Sequence, residues 1–178
     1  WVATKVENGS KYFIGQHGNN YSTDRYSKDQ LEETTADKFL TWGWTGDLPQ
    51  HTPAFVLKTA SKKTEHYNPQ GGLLLIELCL NHRRTSWDAT REFVDYFNDQ
   101  MNFVSKLANR PKQSLVIRLH PSYRYLNWSE VARWQEFDST LKIDNGEVAI
   151  GNLISDSRLV VHSYDSTGIL ETLSQNIP

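Results

Sequence analysis

The stretch Gly72-Leu73-Leu74-Leu75-Ile76-Glu77-Leu78-Cys79-Leu80 constrains this fold more than any other part of the chain. It is apolar on both alternating sets of side chains, the pattern of a strand buried on both faces. Beyond it the chain switches to a helical period. The segment from Trp87 to about Asn109 carries Phe93, Val94, Phe97, Met101, Val104 and Leu107 at helical spacing. Ser86 or Asp88 stands ready to cap its start, and Pro111 marks its end. Ser114 to Leu119 reads as a second strand, and Trp128, Val131, Trp134 and Phe137 give one face of a second helix. Arg158 to Val161 is a third strand, followed by a helix from Thr167 to Gln175. Strands alternating with helices predict an α/β fold, a Rossmann-like parallel sheet with helices on both faces.

The first sixty residues are less regular. Lys11 to Ile14 reads as a short strand broken by Gly15 and Gly18, and residues 27–36 as a short helix or a loop. Phe39 to Trp44 is aromatic and is closed by Gly43, Gly46 and Pro49, and residues 47–70 look like a connecting segment. These features divide the chain into 1–60 and 61–178. The opening at Trp1 and the close at Gln175-Asn176-Ile177-Pro178 read as those of a fragment.

The bulk properties exclude several classes. A net charge of −2 gives no basic face for nucleic acid. The single cysteine, Cys79, forms no internal disulfide and reads as a buried apolar residue. With no membrane-spanning run and no signal peptide, a cytoplasmic protein is the expectation.

Ligands of open parallel sheets bind beyond the carboxyl ends of the strands, and three of the six histidines fall there. The turn His162-Ser163-Tyr164-Asp165-Ser166-Thr167-Gly168 leads from strand into helix, which presents backbone N–H groups and short hydroxyls to an anion. Gly168 admits a phosphate close to the backbone, and Glu171, one turn in, is placed to accept from ribose hydroxyls. The alternative is a plain cap by Ser166 or Thr167. His120 precedes Pro121, which fixes the backbone, with Arg118 and Arg124 close in sequence. It is either a phosphate or base contact or a capping residue. His17 stands between Gly15-Gln16 and Gly18, where a substrate approaches closely enough for general-base chemistry.

Other chemistries fit less well. His162, Ser163 and Asp165 are too close together for a hydrolase triad, and no nucleophile elbow is present. No paired motif supports zinc at His17, His120 and His162, so no metal site is expected. There is no dinucleotide fingerprint or phosphate-binding P-loop.

Gly15-Gln16-His17-Gly18, Asp37-Lys38-Phe39-Leu40-Thr41-Trp42-Gly43-Trp44, His120-Pro121 and His162 through Glu171 occur in one order along the chain. This set resembles a family of bacterial surface-polysaccharide transferases. They are similar to CDP-glycerol glycerophosphotransferases, capsule Kdo transferases and bacterial sialyltransferases of the GT-B fold. The resemblance implies that residues 61–178 form the C-terminal, nucleotide-donor-binding half of a GT-B fold, and residues 1–60 the end of the N-terminal domain and the linker. It implies catalytic roles for His17, as base on the acceptor hydroxyl, and for His162, which assists the leaving phosphate. It assigns donor binding to His120, Pro121, Ser163, Ser166, Thr167, Gly168 and Glu171, with Arg118 and Arg124 as further candidates. Tyr164-Asp165 between the hydroxyls and Asn19-Asn20 after the first motif depart from the family pattern.

The implied activity is transfer from a nucleotide-activated donor, a CMP-sugar ahead of CDP-linked or UDP-linked donors, to a cell-surface polysaccharide acceptor. The donor is a substrate, and no separate cofactor is expected. The acceptor is a saccharide or is lipid-linked, which would bring the protein to the inner face of the cytoplasmic membrane as a peripheral protein. The alternatives are a nucleotide-sugar epimerase or hydrolase on the same half-fold, and a non-catalytic nucleotide- or carbohydrate-binding module.

Overall fold

A computed structural model describes residues 1–18, 21, 30–60, 68–79, 92–126 and 129–178. The chain divides into two compact units: Trp1–Lys63 with Ser166–Ser174, and Thr64–Asp165 with Gln175–Pro178.

Unit 1 opens with helix α1 (Val2–Glu7) and strand β1 (Phe13–Gly15), then helix α2 (Leu31–Thr35) and strands β2 (Lys38–Thr41) and β3 (His51–Pro53). The strands form a parallel sheet in the order β1-β2-β3, with Gly15 opposite Leu40 and Phe39 opposite His51. α2 begins at a capping box. The Gln30 side chain is bonded to the backbone of Glu33, and the Glu33 carboxylate accepts from Gln30 N–H at 3.0 Å. Between the starts of β1 and β2, the Asp37 carboxylate accepts from Tyr12 N–H and from Lys11 Nζ, each at 2.8 Å. β3 falls inside the segment expected to be a plain connection. At three residues it is too short to show alternation.

Unit 2 contains β4 (Gly72–Ile76), α3 (Glu92–Ser105), α4 (Asn109–Gln113), β5 (Leu115–Arg118), α5 (Glu130–Phe137), β6 (Lys142–Asp144), α6 (Ile150–Ser155) and β7 (Ser157–His162). Its sheet is wholly parallel in the order β6-β5-β4-β7. β4 is central and apolar on both sides, as its sequence requires. Leu73 and Leu75 enter a core with Leu115, Ile117, Val104 of α3 and Trp134 of α5. Leu74 faces the other way, into a core with Val160, Ile154 of α6 and Ile177. Helices therefore cover both faces, the arrangement of a Rossmann-like α/β sheet.

The helix expected from Trp87 to Asn109 is described from Glu92 and ends at Ser105, and the proposed caps Ser86 and Asp88 lie outside the described residues. Its inward face runs through Phe97, Gln100 and Val104, whereas Val94 is 60% exposed. Pro111 sits in the first turn of α4 rather than beyond a helix end. A first-turn residue has no N–H partner to lose, so proline is tolerated there. β6 and α6 are not apparent from periodicity, again because they are short. Trp128 also lies outside the described residues, but Trp134 is fully buried as its helical face predicts.

The chain leaves β7 for helix α7 (Thr167–Ser174), which belongs to unit 1. Among the described residues no helix is long and apolar enough to cross a membrane.

Candidate functional site

The parallel order of β1 and β2 brings two sequence motifs together at the carboxyl ends of neighbouring strands. Gln16 follows β1 and is buried, 5% exposed. Its backbone N–H donates to Leu40 O at 2.9 Å, which extends the sheet by one step. Its Oε1 accepts from Trp42 N–H at 3.0 Å and from the Trp44 indole at 2.7 Å. Its carbonyl accepts from the Trp42 indole at 3.0 Å, and its Nε2 donates to Gly18 O at 2.7 Å. Both indoles reach Gln16 because the chain doubles back at Gly43, whose φ of +99° is a conformation that side chains rarely adopt. The loop that carries His17 is thus bolted to the Trp-Gly-Trp turn through one amide side chain.

His17 itself projects outward, its side chain 75% exposed. Nδ1 lies 2.5 Å from the Tyr21 hydroxyl and 3.4 Å from Glu32 Oε1. The Tyr21 hydroxyl in turn donates to the Glu32 carboxylate. Burial, with the carboxylate bonded to it, pushes the Tyr21 hydroxyl well above its ordinary value, so it stays protonated. His17, Glu32, Tyr12, Gln30, Leu31 and Thr35 line a cavity of about 470 Å³.

Beneath this site is a second polar pair. His51 and Glu33 are both buried, with Nε2 and Oε1 3.2 Å apart but outside hydrogen-bonding geometry. Gly46 packs so closely on the His51 ring that a Cβ there would fall 2.1 Å from Nδ1.

At the start of α7, Ser166 Oγ accepts from Gly168 N–H at 3.2 Å, the geometry of a cap. Lys58 enters from the one-turn 3-10 helix Leu57–Thr59. Its ammonium is 3.4 Å from Thr167 Oγ1 and 2.5 Å from Glu171 Oε1. The expected anion site therefore carries a cation that the sequence alone does not reveal, because Lys58 stands far from Thr167 along the chain.

In unit 2, the sheet reverses direction of growth at β4, with β5 and β6 on one side and β7 on the other, and ligands of such sheets bind at that switch point. A cavity of about 380 Å³ lies there, lined by Leu78 and Cys79 after β4, His120, Ser122 and Leu126 after β5, and Tyr164 after β7. His120 caps the one-turn helix Pro121–Arg124, its Nδ1 accepting from Ser122 N–H at 3.2 Å. That bond leaves the proton of a neutral ring on Nε2. Partial burial and the Arg118 guanidinium lower its basicity, which favours the neutral form.

Ser163 belongs to a directed chain of bonds. Leu78 N–H donates to Tyr96 Oη at 2.8 Å, and the Tyr96 and Ser163 hydroxyls are 2.6 Å apart. Ser163 donates to Ile76 O at 2.7 Å, so its own proton is spent inside the fold. His162 ends β7 opposite Ile76 and is half-buried. Arg118 is buried in an ion pair with Asp144 of β6. Arg124 is exposed, its Nε donating to Pro121 O at 3.4 Å and its guanidinium lying near the Tyr125 ring. A larger, mostly apolar cavity of about 550 Å³ lies at the other ends of these strands, beside Gly72, Ser114 and Leu159. None of the predicted site residues lines it.

The structure thus gathers His17 into one cluster, Ser166, Thr167, Gly168 and Glu171 into a second, and His120 and Pro121, beside the switch-point cavity, into a third. Tyr21, Glu32, Lys58 and Tyr96 carry no sequence signal that singles them out, and Gln16 stands in the Gly15-Gln16-His17-Gly18 motif with no role of its own attached. Among the described residues no group of three or more His, Cys, Asp or Glu is placed to hold a metal ion.

Compared with known families, the whole chain, residues 1–178, matches the model described as LIC12162 family transferase. No curated protein and no solved structure matches it.

Proposed function

The chain belongs to the LIC12162 family of transferases, and from that premise we propose that it transfers a sugar or related group from a nucleotide-activated donor. A CMP-sugar is favoured over CDP-linked and UDP-linked donors, and the acceptor is a hydroxyl of a saccharide or lipid-linked precursor of cell-surface polysaccharide. In this reading the chain carries the donor-nucleotide half of a GT-B enzyme, and the His17 loop supplies acceptor activation. A lipid-linked acceptor would place the enzyme peripherally at the inner face of the cytoplasmic membrane.

The observation that carries the reading is the His17 loop. An exposed imidazole beside a cavity, on a loop immobilised by a buried amide, is what a general base for an incoming hydroxyl requires. The acceptor O–H gives its proton to His17 Nε2. The freed oxygen bonds to the transferred group, and the bond from that group to the nucleotide phosphate breaks with its electron pair on the phosphate. The dipole at the start of α7 provides positive potential for that phosphate, with Lys58, which is itself paired with Glu171, beside Thr167.

A thermal-shift panel of CMP, CDP, UDP and GDP tests donor recognition. At about 100 times its dissociation constant, a bound nucleotide adds roughly 2.7 kcal/mol of stability. A cytidine nucleotide is expected to raise Tm in the wild type and to do so less in the Ser166→Ala, Thr167→Ala double variant. Equal shifts in both would remove the α7 phosphate site, and no shift with any nucleotide on the intact enzyme would overturn the donor assignment.

A further inference from the structure

The His17 cluster contains more order than a lone base needs. The Tyr21 hydroxyl has one proton, and the Glu32 carboxylate, an acceptor only, takes it. The oxygen of Tyr21 then faces His17 Nδ1 at 2.5 Å with lone pairs alone, so the contact forms only if Nδ1 carries a hydrogen. In a neutral imidazole that leaves Nε2 unprotonated. The same carboxylate lies 3.4 Å from Nδ1 and complements the positive charge that appears when Nε2 takes a proton. Tyr21 is buried while the His17 side chain is exposed.

We propose that Tyr21 and Glu32 are positioning residues that hold His17 in the tautomer with Nδ1–H, keeping Nε2 free to accept the proton of the acceptor hydroxyl. This rests on the reading of His17 as the base. During the step one proton moves, from the acceptor oxygen to Nε2, while Nδ1–H remains bonded to Tyr21 Oη and the Tyr21 proton remains on its own oxygen. Tyr21 is not itself the base, since it stays a phenol. Among the described residues, the other titratable groups near the cluster are Tyr12, which lines the cavity, and Glu33, whose carboxylate is directed to Gln30 N–H and His51.

The test pairs nitrogen-detected NMR of the histidine rings with steady-state kinetics of the intact enzyme. The wild type is expected to show His17 as the Nδ1–H tautomer. Glu32→Gln should lower kcat by roughly 10- to 100-fold, less than the roughly 10²- to 10⁴-fold loss for His17→Ala. In Glu32→Gln the Nδ1–H tautomer should lose population to Nε2–H, while the acceptor KM holds. Tyr21→Phe should cost less than Glu32→Gln, because Glu32 remains within reach of Nδ1. In a His17→Ala background both changes should be silent. An unchanged His17 tautomer in Glu32→Gln would overturn the relay, even if His17→Ala is inactive. Full turnover by His17→Ala would overturn the base reading itself, and an Nε2–H tautomer in the wild type would overturn the relay without any activity measurement.

Discussion

The two sheets of this protein are both parallel, yet they are held together by opposite means. The sheet of unit 2 is clamped between apolar layers, with Leu73, Leu75 and Ile117 on one side and Leu74 and Val160 on the other. The three-stranded sheet of unit 1 leans on polar side chains that are themselves buried: Gln16, Glu33, Thr41 and His51. Apolar contact is non-directional and tolerates substitution by shape. A buried amide tolerates almost none, because each partner it abandons is left without a bond. The polar unit is also the one that presents the exposed His17. Directional bonds hold a loop in one geometry, which is what a reacting group demands.

The largest expected effect comes from breaking the apolar side. Trp134→Ala should destabilise unit 2 by about 3–5 kcal/mol in denaturant titrations, through its cavity and through the lost indole bond to Glu77 Oε1 at 3.0 Å. Next comes the polar intruder in that apolar core. Burial, reinforced by Glu130, pushes the Glu77 carboxyl up to about 8, against the pull of the Trp134 bond and Arg133. Its folded value lies above the ordinary 4.5, so the fold favours the protonated form. Stability should therefore fall as pH rises from about 4.5 to about 8 and level off above. Glu77→Gln should erase that slope and stabilise the protein at the alkaline end.

The comparison sharpens with a matched pair of substitutions. Leu74→Met in unit 2 should cost less than about 1.5 kcal/mol, whereas Gln16→Met, which keeps an unbranched side chain of similar length, should cost roughly 2–3 kcal/mol and lower turnover as well. Equal costs would erase the distinction between the two sheets. The smallest effect is expected at Lys58→Met. The loss of one partly exposed charge beside Thr167 should weaken binding of a nucleoside diphosphate by less than about tenfold, with the weakening fading as salt is raised.

That same contrast governs how much of the molecule is legible in its sequence. β4, β5 and β7 and the inward face of α5 are legible because burial of apolar surface imprints itself on the local period. β3, β6 and α6 are too short to carry a period, and the exposed Val94 shows that helical spacing alone does not say which turn meets the sheet. At the candidate site, single residues are legible and their partners are not. His17 stands out by its glycines and its motif. Trp42 and Trp44 also stand out as a motif, but that they grip Gln16 shows only once β1 and β2 pair, and Glu32, on α2, has no local tie to Tyr21. Lys58 reaches α7 from more than a hundred residues upstream. Directional contacts between distant positions leave no local signature, so a functional residue can be named before its support is visible.

The central claim is that His17 removes the acceptor's proton and does not bind the donor. Turnover and nucleotide affinity of His17→Ala, measured on the same preparation of the intact transferase, test it most directly. Turnover is expected to fall by roughly 10²- to 10⁴-fold with nucleotide affinity unchanged. Turnover within a few-fold of wild type, or a loss explained by weaker nucleotide binding, would contradict it.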